Sequence, residues 1–359
     1  MSDRMVEHFM EMVKIDSESG NEENYINYLK DKFDELGGDA VKDDYGNLVV
    51  KFTSKNSNIT EPILFSCHAD TVKPGIGIEP VIENGVIRSK GNTILAADDK
   101  AGIAELFEAL RTADSYPPLE IAISRQEEVG LLGVKNLDYS LITAKKGFLL
   151  DNDTLETIVI GGPSYFAIDV SIKGKAAHAG MEPEKGINAI QAAATAISAL
   201  TLGRLDHETT ANVGVINGGM IRNGVPDSVT FLAECRSLDH EKGAVLAKDM
   251  EKIIREKVTE AGAEVEIKID NLCKAVDIPE NSETVELSKK ALRSVGVEAE
   301  TTFITGFTDA SIYNNMGIEM AVVGIGAQLE HSTEEHIHIE DMIRAKDMVV
   351  EIFRLTSTL

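Results

Sequence analysis

Histidine and acidic residues recur in this chain where an apolar run gives way to a turn or opens a helix. "ILFSCHAD" ends in His68 and Asp70, "LEIAISRQEE" in Glu127 and Glu128, and "GFLLDND" carries Asp151. "AADDKAGIAEL" puts Asp98 and Asp99 ahead of a helical stretch. "LEHSTEEHIH" follows the apolar "MAVVGI" and offers His331, His336 and His338, among which composition does not choose. Each cluster has an ordinary explanation alone: Asp caps helices, and paired acids sit in exposed loops. Taken together they supply imidazole and carboxylate donors without thiolates, a set that suits Zn²⁺, Mn²⁺ or Co²⁺. Two histidines and three carboxylates suffice for two ions sharing a bridging acid. Ions paired about 3.5–4 Å apart activate a water and polarise a carbonyl. His68 and Asp70, two apart on a strand, share a face, where a carboxylate can fix the imidazole tautomer. Glu127 and Glu128 are neighbours, so strand alternation turns them to different faces.

Such residues meet only if the fold gathers them. Residues 22–36 place Tyr25, Leu29, Phe33 and Leu36 on one stripe and stop at Gly37 and Gly38, as an amphipathic helix does. Strands are predicted at 47–52, 62–67, 119–124 and 147–151, and a helix at 101–110. Buried strands alternating with helices imply an α/β layer with a largely parallel sheet. The carboxyl ends of such strands collect at one edge, where ligands bind. The style changes near Pro163. A period-two strand (164–174), a helix (186–200), two strands (210–216 and 228–236), a charged helix (about 239–261) and a strand (264–269) follow the order β-α-β-β-α-β of a ferredoxin-like module. Helices near 282–295 and 340–356 and a buried strand at 320–325 then resume the α/β style. The expected organisation is a discontinuous catalytic α/β/α domain, residues 1–163 and 275–359, interrupted by an inserted, smaller α+β domain at 164–274.

Composition narrows the partners. With 35 basic and 60 acidic residues the formal charge is −25, which argues against nucleic acid and anionic membranes as partners. No stretch approaches the roughly 18 apolar residues of a membrane span. Cys67, Cys235 and Cys273 are odd in number and far apart, so no disulfide framework is expected and a reducing, cytoplasmic setting fits. Cys67 reads as a buried strand residue rather than a ligand.

In order along the chain, "HADTV", "ADDKAG", "EEVGLLG", "LDND" and "EHSTEEHI" resemble the H-x-D, D-x-K, double-glutamate, acidic-ligand and H-(S/T)-x-x-E motifs of the M20 metallopeptidase family, closest to its peptidase T-like (tripeptide aminopeptidase) branch. The resemblance spans essentially the whole chain. It implies that His68 and Asp151 bind one ion, Glu128 and His331 the other, and that Asp98 bridges them. Asp99 falls at the motif's variable position, and the family implies a cis peptide after the bridging acid. Asp70 would orient His68, and Glu127 would be the general base. His178, in "GKAAHAGMEP", resembles the lid histidine that stabilises the oxyanion. "NGGMIRNGVPDSVTFLAECR" resembles the lid's substrate-binding segment, with Asn223 and Arg236 as candidates to hold a peptide carboxylate. "TGFTDASIY" resembles the G-x-(S/T)-D turn, with Gly306 and Thr308 lining the pocket. His336 and His338 receive no role. Asp rather than Glu at position 151 resembles the aminopeptidase and dipeptidase members.

The expectation is therefore a dinuclear exopeptidase acting on short peptides, a tripeptide aminopeptidase first, with two zinc ions (manganese or cobalt as alternatives) and a homodimer formed through the inserted domain. An M20-type carboxypeptidase or N-acyl amino-acid amidohydrolase would use the same residues. A non-catalytic peptide- or metal-binding protein would have no need of Glu127.

Overall fold

The computed structural model describes residues 2–358. Contacts divide the chain into one unit of Met1–Ile160, Asp277–Phe303 and Phe307–Leu359 and a second of Gly161–Val276 with Ile304–Gly306.

The first unit is built on a mixed sheet whose central strands are parallel. Leu119–Ser124, Ile63–His68, Lys146–Asn152 and Glu319–Gly324 lie side by side in that order, each parallel to the next. Leu48–Phe52 and Asp39–Lys42 extend one side antiparallel, and Thr157–Gly162 the other. Ile63–His68 and Leu119–Ser124 are buried along their whole length, and Lys146–Asn152 and Glu319–Gly324 everywhere but at one or both ends. That is why they read as continuous apolar runs rather than alternating ones. His68 is in register with Ser124, and Gly324 with Asn152. The carboxyl ends of four strands thus reach one edge together.

Helices cover this sheet. Glu23–Glu35 buries Tyr25, Ile26, Leu29 and Phe33, and the Phe33 ring stacks on Phe107 with centroids 4.1 Å apart. Ala97–Thr112, which carries Phe107, packs on Ile63–His68, Lys146–Asn152 and the helix Ile339–Thr356. A small antiparallel sheet joins Pro80–Glu83, Val86–Ser89, His336–His338 and Ala327–Gln328. Its strands are two to four residues long, too short to show a periodicity. Ser2–Met12, Thr157–Gly162 and Asp309–Asn315 are further elements without a counterpart in the sequence reading.

In the second unit, Ser164–Lys173, Thr209–Gly218, Ser228–Ser237 and Glu264–Cys273 form an antiparallel sheet. Numbering these four in chain order, the sheet runs fourth, first, third, second, the ferredoxin-like arrangement of a β-α-β-β-α-β chain. Phe166, Ile168, Val170 and Ile172 point inward from one strand, and Val229, Phe231, Ala233 and Cys235 from its neighbour. Ala189, Ala192, Ala193 and Ala196 of Ala189–Ala199 and Ala247, Met250, Ile254 and Val258 of His240–Glu260 close this core. Small alanines on the first helix let it sit close to the sheet, and the residues follow helical spacing on both.

Candidate metal centre and active site

His68 is the last residue of its strand and is 2% exposed. Its Nδ1 lies 3.0 Å from the Asp70 carbonyl oxygen, so Nδ1–H donates there and Nε2 carries the lone pair of the neutral ring. Nε2 faces Asp98 Oδ1 at 2.9 Å and Asp151 Oδ1 at 3.5 Å. A gap this short is filled by a proton on Nε2 or by a cation in the proton's place. Across the same aspartate, His331 Nε2 lies 3.2 Å from Asp98 Oδ2 and 2.9 Å from Glu128 Oε1. Asp98 therefore presents one oxygen to each histidine. His68, Asp98 and Glu128 offer ligand atoms within 4.8 Å of one another, and so do His68, Asp99 and Asp151.

Asp99 is thereby drawn into the cluster. Its Oδ2 accepts the His68 backbone N–H at 3.0 Å, while Oδ1 is buried without a hydrogen-bond partner. The Asp98–Asp99 peptide is cis. Neither aspartate caps the helix that follows. Both have non-helical backbone angles, and the cap residue Ala96 is left-handed at φ 60°. Two turns of chemistry then share one narrow space: at Gly102 an added Cβ would come 2.4 Å from Asp99 Oδ1 and 2.9 Å from the Leu150 carbonyl oxygen.

Asp70 does more than face His68. Its Oδ1 is 3.5 Å from His68 Nδ1, but it accepts the Glu127 N–H at 2.8 Å, while Oδ2 accepts the Glu128 N–H at 3.2 Å and the Ser19 hydroxyl at 2.7 Å. The carboxylate fixes the backbone of the glutamate pair, and the main-chain carbonyl of the same residue orients the imidazole. Gln126 and Leu131, on either side of the pair, are left-handed at φ 53° and 59°. Such conformations are costly for residues with a Cβ and persist where surroundings impose them.

Electrostatics follow from acids crowded out of water. Burial pushes Asp151 up to about 6 and Asp309 up to about 7, with neighbouring carboxylates adding to it. Burial, then the charges of Asp151, Asp309 and Glu128, hold the Glu127 carboxyl well above its ordinary value, against the pull of His68. Burial also works against charge on His68, yet Asp98, Asp151 and Asp70 keep its imidazole well above 6.5. Hydrogen bonds to Asp98 and Glu128 lift His331 to about 10. This much buried negative charge requires a compensating cation, and an oxygen- and nitrogen-donor set of this kind fits a divalent transition ion.

Two residues without a role in the sequence reading stand in this site. Glu335 closes the H-(S/T)-x-x-E motif, and both its oxygens accept backbone N–H groups of residues 95–98. Asp309, the last residue of the G-x-(S/T)-D turn, accepts a short hydrogen bond from the Ser124 hydroxyl. In both cases the motif's own acidic letter was the available signal. Thr308 precedes the helix Asp309–Asn315 in the same unit. His336 and His338 lie on their short strand with rings 5.8 Å apart.

The other candidates belong to the second unit. His178, exposed, accepts the Gly180 and Met181 N–H groups at Nδ1, 3.2 Å each. Asn223 is exposed, and its carbonyl accepts the Ala179 N–H. The Arg236 guanidinium binds Glu234 at 3.0 Å and the Thr305 carbonyl at 3.3 Å and lies over the Tyr165 ring. Gly306 is half-buried beside Thr305.

Acids and imidazoles at the carboxyl edge of a mainly parallel sheet, in a chain that also carries a ferredoxin-like unit, define a two-unit metallohydrolase class. Residues 163–261 match the family profile described as the peptidase dimerisation domain of the M20 peptidases. The uncharacterised protein YqjE of Bacillus subtilis is 39% identical over 97% of each chain. Among solved structures, aminopeptidase PepT of Bacillus cereus is 36% identical, with 99% of each chain covered and a TM-score of 0.91. A tripeptidase of Staphylococcus aureus is 33% identical over 100% of this chain and 99% of the other, with a TM-score of 0.94. The chain belongs to the M20 metallopeptidase family, in its peptidase T-like branch, and is a peptide-bond hydrolase.

Proposed function

We propose that this protein is a dinuclear-metal aminopeptidase that releases the N-terminal residue of short peptides, tripeptides first. The observation that carries the reading is Asp98, whose two oxygens face two histidines from distant parts of the chain, with Asp151 beside the first and Glu128 beside the second. His68 and Asp151 would hold one ion, Glu128 and His331 the other, with Asp98 shared. Zinc suits this donor set first, with manganese or cobalt as replacements. When bound, such ions polarise the scissile carbonyl and make water acidic enough to attack at neutral pH.

The chain's own residues supply the rest. Glu127 takes the proton of the attacking water and delivers it to the leaving amine. Its raised proton affinity suits that transfer, and the bond from its N–H to Asp70 holds it in place. His178 accepts backbone N–H groups at Nδ1, so its proton sits on Nε2, free to donate to the oxyanion. Asn223, Arg236, Gly306 and Thr308 are proposed to contact the peptide. A homodimer through the second unit is supported by the dimerisation profile and by a free strand edge. Beyond Ala211, the strand Thr209–Gly218 pairs on one side only and exposes Val215 and Ile216. Cys67, Cys235 and Cys273 are buried and none forms a disulfide, which supports a reducing compartment.

The test is a peptide series, two to five residues long, with either end blocked and metal content measured on the same sample. Tripeptides with a free amine should be cleaved and N-acylated ones spared. Preferential cleavage of N-acylated substrates would replace the aminopeptidase reading with a carboxypeptidase or amidohydrolase.

A further inference from the structure

The turn that carries the bridging ligand into its helix has main-chain amides to satisfy, and no local side chain does so. Ala96, the cap position of Ala97–Thr112, has no side-chain oxygen, and Asp98 and Asp99 are turned to the histidines. The partner comes from about 240 residues away. Glu335 Oε2 accepts the N–H groups of Leu95 at 2.7 Å and Ala96 at 2.8 Å, and Oε1 accepts those of Ala97 at 2.7 Å and Asp98 at 3.1 Å. Glu335 is 2% exposed. Four amides of the irregular turn that leads into the helix converge on one carboxylate.

Glu335 also lies four residues after His331, in the loop that begins with the left-handed Leu329 and His331 at φ 55° and 59°. A closed mechanical ring results: His331 touches Asp98, the peptide of Asp98 is held by Glu335, and Glu335 is tethered to His331 through the chain. Moving the His331 loop moves the anchor of the bridging aspartate.

We propose that Glu335 is a positioning residue that latches the His331 loop to the Asp98 segment, so that the two metal half-sites are occupied interdependently. The latch rests on the dinuclear reading above. It touches neither ion nor substrate in this arrangement and acts through the placement of Asp98 and His331.

The test uses the full chain, stripped of metal and titrated with Co²⁺ alone, followed by visible absorption and by metal content. Wild type is expected to take two Co²⁺ per chain over one steep range. E335Q keeps the shape but offers an amide NH₂ to amides that need an acceptor. It should bind Co²⁺ roughly 10- to 100-fold more weakly, in two separate phases, with an altered spectrum. Phe107→Leu, a core change away from the latch, should lower the melting temperature while leaving Co²⁺ affinity and spectrum unchanged. E335D, one methylene shorter, reaches fewer of the four amides and should fall between wild type and E335Q. Wild-type uptake of a single Co²⁺ would sink the dinuclear reading. Normal two-ion uptake by E335Q, with an unchanged spectrum, would overturn the latch. Should E335Q not fold, E335D and hydrogen exchange of the wild-type amides decide. Slow exchange at residues 95–98 in metal-free protein supports the latch, and exchange at the rate of exposed amides overturns it.

Discussion

The two units of this chain obey local rules to very different degrees. In the second, strands alternate: Ser228–Ser237 is exposed and buried by turns, and its buried polar residues are hydroxyls, Ser164, Thr209 and Ser237. In the first, among the described residues, lie all of the buried charged groups, including His68, Asp70, Asp98, Asp99, Lys100, Glu105 and Asp309. The same holds for every left-handed residue other than glycine. Asn56 and Asn84 are of the type that tolerates that conformation, while Ala96, Gln126, Leu131, Leu329 and His331 all flank or form the site. One unit is organised by burial alone, the other spends conformational freedom and solvation to gather ligands. Violations of local rules concentrated in one place mark a functional site.

That contrast can be broken or sharpened by measurement. The largest effect is expected at Glu127. Glu127→Gln should lower kcat about 10²- to 10⁴-fold with metal content unchanged, as turnover and elemental analysis on one sample would show. Near-normal turnover would remove Glu127 from the role of base. In the second unit, Phe231→Ala should cost about 3–5 kcal/mol, seen as an earlier denaturant transition of that unit, with no loss of metal from folded protein. A loss of metal instead would erase the division of labour drawn here.

The next effect is smaller and depends on pH. His8 belongs to Ser2–Met12, its Nε2 buried without a partner, and its ring meets Phe107 edge-on at 5.0 Å. Burial, with Arg111 adding to it, lowers its pKa from 6.5 to about 4. Below pH 6.5 the unfolded chain therefore takes up a proton that the folded imidazole refuses. Stability from this group is full above 6.5, falls as pH drops towards 4, and is level below. The loss across that window is about 3 kcal/mol, and His8→Phe should remove it from the difference between the two stability curves. Smallest of all, Lys268→Ala in the second unit breaks an exposed pair with Asp270 and should leave the unfolding midpoint unmoved.

The sequence showed most of what periodicity can carry. The strand at 119–124 falls on Leu119–Ser124, and the helix at 239–261 on His240–Glu260. The strand order of the second unit follows from the β-α-β-β-α-β succession. What stayed hidden depends on contacts between distant residues or on the main chain. The sheet of Pro80–Glu83, Val86–Ser89, Ala327–Gln328 and His336–His338 pairs residues as far apart as Ile87 and Ile337. Asp70 reads as a partner of the imidazole two residues before it, yet its carboxylate is bound by the amides of Glu127 and Glu128, and backbone donors have no letter in a sequence. For the same reason Asp98 and Asp99 look like helix caps, although neither is one and Glu335 binds the amides of the turn that holds Asp98. The ligand candidates were legible as types at strand ends, and their distribution into two sets came from resemblance.

Gly102 places this site in evolutionary terms. Every single-base change in a glycine codon that alters the amino acid adds at least a Cβ, and here a Cβ has nowhere to go between Asp99 and the Leu150 carbonyl. Position 102 therefore has no neutral neighbour one mutation away. Any replacement at 102 must displace the Asp99 carboxylate or the Leu150 main chain, so a substitution far from any ligand position would still reach the acidic cluster.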